Sequence, residues 1–169
     1  MNGTSVNSVD EDEVVAAANV IKENLDNVSA FSYDSIPLVT SGDVAAAHWY
    51  VGANIFVQQN PDVLAYYIPS EGATMYQEDM CVLKDAPNPD NAKAFLEFYL
   101  RPEIAALNVE QQLNGTPNIP AQDLIPAEIS SNETIYPNAD VLSKLQLFVD
   151  LGQDLRLYNR EWTAIKTAQ

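Results

Sequence analysis

The chain has 169 residues, and its 8 Lys and Arg stand against 24 Asp and Glu, a formal charge of −16. A chain this acidic lacks the clustered cations that neutralise phosphates, which excludes a nucleic-acid-binding surface, and anionic membranes repel it. Its hydrophobic share of 47% is that of a folded body rather than of a disordered acidic tail.

The first ten residues, Met1 to Asp10, have neither a basic region nor an apolar core, so they do not read as a secretory signal. No apolar run approaches the ~18 residues of a membrane span. Taken alone, these features point to the cytoplasm. A helix is expected to open near Ser8, where Ser8 to Glu11 fits a capping box, and Val14, Ala18, Ile21 and Leu25 then form one apolar stripe. Asp34 or Ser35 caps a short second helix that stops at Gly42.

Val44 to His48 is read as a buried strand, Gly52 to Gln59 as a helix, Val63 to Ile68 as a second strand and Asp79 to Leu83 as a third. Alternation of this kind points to α/β layers. Asn88-Pro89 opens a helix whose apolar face holds Ala92, Phe95, Leu96 and Tyr99. Pro102 cannot lie inside that helix, so a new one starts there and runs to Asn114-Gly115. Thr116 to Pro126, with three prolines, is expected as an ordered loop with short turns, and Asp140 to Val149 and Leu155 to Ile165 as the last two helices.

Catalytic inventories are thin. His48 is the only histidine and Cys81 the only cysteine, and both are read as buried strand residues with structural roles. No disulfide or cysteine metal cluster can form within the chain, none of the six glycines falls in a phosphate-loop spacing, and no nucleophile elbow is present. Nothing in this inventory argues for an enzyme, although it leaves one open; the expectation carried forward is a protein that is not an enzyme, with no metal and no cofactor. Aromatic residues beside acids are more suggestive: Trp49-Tyr50 follows one strand, and Tyr76 precedes Glu78 at the mouth of another. Ring faces attract an ammonium group and a carboxylate anchors it, which suits an organic cation. On the residues alone the favoured reading is plainer: Trp and Tyr cap the edge of the core and Glu78 is a solvated acid.

Several motifs then resemble, in order, those of spermidine/putrescine-binding proteins of ABC transporters. They are Pro69-Ser70-Glu71-Gly72, Arg101-Pro102-Glu103-Ile104-Ala105, Thr116-Pro117-Asn118, Ile135-Tyr136-Pro137-Asn138-Ala139-Asp140 and Arg160-Glu161-Trp162-Thr163-Ala164-Ile165-Lys166, with the register beginning at Ser5. The last is most similar to the putrescine-binding branch. The resemblance implies the C-terminal part of a two-lobed α/β fold, the periplasmic-binding-protein type II fold, which closes on its ligand by hinge motion. It further implies that residues 1–78 belong to the C-terminal lobe, that 79–115 cross to the N-terminal lobe of the full-length family, and that 116–169 return to the C-terminal lobe and the closing helices.

Its implied partners are a polyamine or related small organic cation, the membrane permease of an ABC transporter and a missing N-terminal lobe. Its implied location is periplasmic or extracellular, with the signal peptide outside this fragment, which replaces the cytoplasmic reading. The family places an aromatic two residues before a turn glycine, where Tyr50 stands before Gly52 and Trp49 is its neighbour. It places a second ring and an amine-binding acid where Tyr76 and Glu78 stand. Trp49, Tyr50, Tyr76 and Glu78 are thus the implied ligand-binding residues. Two positions depart: Ala53 where an acid can follow the glycine, and Asn114 where the family has a ring before its Thr-Pro-Asn segment. The alternatives are a different small cation, or a half-length interaction module that self-associates as a homo-oligomer without a ligand of its own.

Overall fold

A computed structural model describes residues 3–168. Its elements in chain order are α1 (Glu11–Lys22), α2 (Ser35–Ser41), α3 (Asn54–Gln59), β1 (Ala73–Met75), α4 (Pro89–Tyr99), α5 (Pro102–Gln112), α6 (Ile119–Gln122), α7 (Ala127–Ser130), α8 (Ala139–Leu142), β2 (Leu145–Leu147) and α9 (Leu155–Thr167). Single 3-10 turns at Leu25–Asn27, Val51–Ala53 and Gly152–Asp154 connect them. The chain divides into two units. The first comprises Met1–Ala47, Pro69–Tyr76 and Lys144–Gln169, and the second His48–Ile68 and Gln77–Ser143.

In the first unit, α1 packs on α9, with Val14, Ala18 and Ile165 buried. Asp10 rather than Ser8 caps α1: its carboxylate accepts from the backbone N–H of Asp12 at 2.9 Å and of Glu13 at 3.2 Å. Ser8 instead donates to the Glu13 carboxylate, so the capping pair lies two residues further on than the box pattern implies. The expected stripe is also shorter, because Ile21 is exposed and Leu25 falls in the 3-10 turn after the helix. Tyr158 of α9 donates to the carbonyls of Val6 (3.0 Å) and Ser8 (2.7 Å), fastening the N-terminal segment to the helix. Burial, with Glu13 nearby, raises its phenol above the ordinary value of 10.0. α2 ends as expected at Gly42, whose φ of 82° suits glycine.

The sheet of this unit is a parallel pair, β1 on β2, with Ala73, Thr74 and Met75 opposite Leu145, Gln146 and Leu147. Gly72 makes the pairing feasible. Its φ is 108°, and a Cβ there would lie 2.3 Å from the Lys144 carbonyl oxygen. Lys144 closes the same corner by donating from Nζ to the Ser70 carbonyl at 2.8 Å.

In the second unit the core is built on α5. Ala105, Ala106, Val109 and Leu113 meet Ala121, Ile125, Ile129 and Ile135, and Val51, Ile55 and Tyr136 pack around them. Alanines on α5 admit the close approach of α6, one of the short turns expected in the proline-bearing loop. Pro89 and Pro102 stand at the first positions of α4 and α5, as expected.

Four expectations fail. Residues 44–48, 63–68 and 79–83 form no strands, because a strand needs a neighbour for its backbone groups and the only sheet among the described residues is β1–β2. The expected helix from Asp140 stops at Leu142, and Leu145–Leu147 becomes β2. His48 and Cys81, read as buried strand residues, are both exposed, since the strands that would have covered them do not form. The apolar face expected on α4 is not covered either: Ala92, Leu96 and Tyr99 are half-buried and Phe95 is exposed.

Candidate functional site

Three of the four anticipated binding residues lie in the second unit, and Trp49 and Tyr50 are the pair brought together. Their ring centroids are 6.0 Å apart with planes at 65°, an edge-to-face arrangement that aromatic quadrupoles favour. Trp49 is half-buried and Tyr50 is 50% exposed. The backbone beneath them is held twice. Tyr66 donates its hydroxyl to the Trp49 carbonyl at 3.4 Å, and the Tyr50 carbonyl accepts from the Ala53 N–H at 2.9 Å to close the turn Val51–Ala53.

Asn54, only 7% exposed, anchors that turn to a loop far along the chain. Its Nδ2 donates to the Val51 carbonyl (2.9 Å) and to Thr134 Oγ1 (3.0 Å), while Thr134 Oγ1 lies 2.8 Å from Asn132 Oδ1 and 3.2 Å from Asn54 Oδ1. A buried amide so satisfied fixes geometry, since every alternative position would leave its polar atoms unpaired. Neither Asn54 nor Thr134 was foreseen as part of the site. Asn54 is legible only as a polar residue opening an apolar helix, and nothing local reveals a partner 80 residues away.

Against the same turn lies Asn114. A Cβ built on Gly52 would be 3.6 Å from Asn114 Oδ1, and that oxygen is buried with no hydrogen-bond partner. The segment bearing it is tightly seated. Leu113 before it has φ 50°, a Cβ on Gly115 after it would lie 3.1 Å from the Ile135 carbonyl oxygen, and the Thr116 N–H donates to the Tyr136 hydroxyl at 3.2 Å. Turn, amide and loop thus form one assembly around the second unit's core.

Glu78 also belongs to this unit and is exposed, two residues into a segment where Gln77 donates to the Asp79 carboxylate at 2.9 Å. Tyr76 belongs to the first unit, directly after β1, and the residue is 39% exposed. Chemically the second unit presents two ring edges and faces, a solvated carboxylate and a neutral amide acceptor. Rings and carboxylates are residue types that suit ammonium groups and alkyl chain. Among the described residues, no three His, Cys, Asp or Glu side chains come together as a metal would require.

The chain matches the family model described as bacterial extracellular solute-binding protein over residues 1–138. It is 27% identical over 168 residues to the spermidine/putrescine-binding periplasmic protein of Salmonella typhimurium, a match covering 99% of this chain and 48% of that relative. With the putrescine-binding periplasmic protein of Escherichia coli it shares 32% identity over 130 residues, covering 76% of this chain and 34% of the relative. A solved Listeria monocytogenes structure, provisionally described as a spermidine/putrescine ABC transporter, superposes with a TM-score of 0.83 at 30% identity, over 99% of this chain and 52% of the other. The fold is shared as well with the spermidine/putrescine ABC transporter substrate-binding protein of Streptococcus pneumoniae, at a TM-score of 0.81 and 24% identity. The chain therefore spans about half the length of the proteins it matches, within an α/β architecture of the periplasmic-binding-protein kind. On the family match and these relatives together, it belongs to the bacterial extracellular solute-binding proteins.

Proposed function

We propose that this chain is the C-terminal part of the substrate-binding component of an ABC-type polyamine uptake system, located in the periplasm or at the cell surface. It performs no chemistry. It captures a small organic dication, closes by hinge motion and presents the closed form to a membrane permease. In the full-length protein, residues 79–115 cross to the N-terminal lobe, while 1–78 and 116–169 belong to the C-terminal lobe.

The observation that supports this reading most is the Trp49–Tyr50 pair, set edge to face on a turn that the buried Asn54–Thr134 contact immobilises. Rings held in place lose little freedom when a ligand docks, so their attraction for an ammonium or a methylene chain is not offset by ordering. Tyr76 packs the alkyl segment and Glu78 pairs with an ammonium, as the names of the relatives make fitting.

Equilibrium dialysis of the full-length protein with labelled putrescine tests the site. Tyr50→Ala and Glu78→Gln are each expected to weaken retention roughly tenfold or more, the loss of a charge-assisted or cation–π contact of about 1.5 kcal/mol. Retention unchanged in both variants would remove these residues from the site.

One observation favours the second reading, an interaction module. Met80, Cys81, Val82, Ala92, Phe95 and Leu96 line an open apolar groove of about 230 Å³ beside α4. Sedimentation of the 169-residue chain separates the two: a dimer indifferent to putrescine supports the module, and a monomer that responds to putrescine supports the amine site.

A further inference from the structure

We propose that Asn54 and Thr134 are positioning residues of the amine site, acting through the turn that carries Tyr50 rather than by touching the ligand. This rests on the amine-binding reading and adds to it the contact that aims one of its rings.

Asn54 is the one polar residue buried among the described residues. An apolar residue of the same size would cover the core, against which its neighbours Val51 and Ile55 pack, with no amide to desolvate. The amide is kept for what it holds. Its Nδ2 donates at 2.9 Å to the carbonyl of Val51, the residue after Tyr50, and the backbone N–H of Asn54 reaches the same oxygen. The backbone bond only winds the turn. The side chain also donates to Thr134 Oγ1 at 3.0 Å, and so ties the turn to a segment 80 residues away.

That segment is a fixed post. The Tyr136 N–H closes on the Asn132 carbonyl at 2.8 Å, the Thr134 N–H donates to Asn132 Oδ1 at 2.9 Å, and Ile135 is buried in the core. The Thr134 hydroxyl has a single proton, for which Asn132 Oδ1 at 2.8 Å and Asn54 Oδ1 at 3.2 Å compete. Whichever oxygen takes it, the hydroxyl oxygen remains the acceptor for Asn54 Nδ2. Without that hydroxyl the Asn54 N–H is buried and unpaired, and the amide must turn to find another acceptor. The Val51 peptide loses its hold, and with it Tyr50, whose carbonyl opens the same turn by accepting from the Ala53 N–H at 2.9 Å. A ring so loosened has to be ordered again when a ligand docks, which costs affinity.

Calorimetry with putrescine, on a protein of the relatives' full length, tests this with substitutions that keep the core filled. Thr134→Val, isosteric but without the hydroxyl, is expected to weaken binding about fivefold, and Thr134→Ser, which keeps the hydroxyl, to stay within about twofold of the parent. Combined with Tyr50→Ala, Thr134→Val is expected to cost nothing further, because the ring it aims is gone. Asn54→Leu breaks the contact from the other side and is expected to show the same dependence on Tyr50, which serves if the valine variant does not fold. Unchanged affinity in Thr134→Val, a serine variant as weak as the valine one, or an equal loss with and without the Tyr50 ring would overturn the assignment while leaving the amine site standing. If the unaltered protein does not bind putrescine, the amine reading itself fails and this assignment falls with it.

Discussion

Gly72 and Asp10 illustrate how single residues set the first unit. Gly72 is legible in the sequence as part of a Pro-Ser-Glu-Gly turn, but its necessity is not, because the atom that forbids a side chain is the backbone oxygen of Lys144, distant in sequence. Both its φ of 108° and that approach must change if a methyl group is added. Gly72→Ala is therefore expected to destabilise the chain by roughly 2 kcal/mol or more, read as a lower urea midpoint at unchanged slope. A variant as stable as the parent would show that the β1–β2 corner tolerates the displacement. Asp10 shows the converse limit. Ser8 fits a capping pattern as well as Asp10 does, and the choice is made by which side chain reaches the free N–H groups of Asp12 and Glu13. At the proposed site, Trp49, Tyr50 and Glu78 are legible as residue types that suit a cation, whereas Asn54 matters through a contact that no local pattern encodes.

At the level of elements, helices were legible wherever a proline, a cap or a glycine stop punctuated an apolar period, as at α2, α4, α5 and α9. Strands were not. Leu145–Leu147 follows a helical turn, and its pairing with β1 overrides any helical period, while Gln146 accepts from Ser5 Oγ and the Val6 N–H instead of facing solvent. The α1–α9 pair is joined by charge as well as packing. Lys22 Nζ meets Glu161 at 2.9 Å, Arg160 Nε meets the other Glu161 oxygen at 2.9 Å, and Arg160 Nη1 reaches Glu11 at 2.8 Å. The hydrogen bond from Lys22, then that from Arg160, holds the Glu161 carboxyl below its ordinary value of 4.5. A carboxyl depressed in the folded state stabilises fully above its unfolded value, and that contribution fades as pH falls through the lower folded value. Urea titrations are thus expected to show wild type losing stability relative to Glu161→Gln from about pH 4.5 downward. Parallel curves would mean that the network adds nothing to folding, the usual outcome for solvated ion pairs.

For the whole molecule, the charge of −16 excludes polyanionic partners without by itself making a cation site. The family resemblance was readable because five short motifs keep their order along the chain, although each is weak alone. The division into two units was less readable, since the chain passes between them after residues 47, 68, 76 and 143 and no change of composition marks those points. The chain spans about half the length of its relatives, so the decisive measurement of the proposed function is made on a protein of the relatives' full length. That measurement is calorimetric titration with putrescine and spermidine beside a neutral sugar and a dicarboxylate. Saturable heat near one equivalent with at least one polyamine, and none with the sugar or the acid, is the expected outcome; silence with both polyamines and binding of either control would contradict an amine-capturing function.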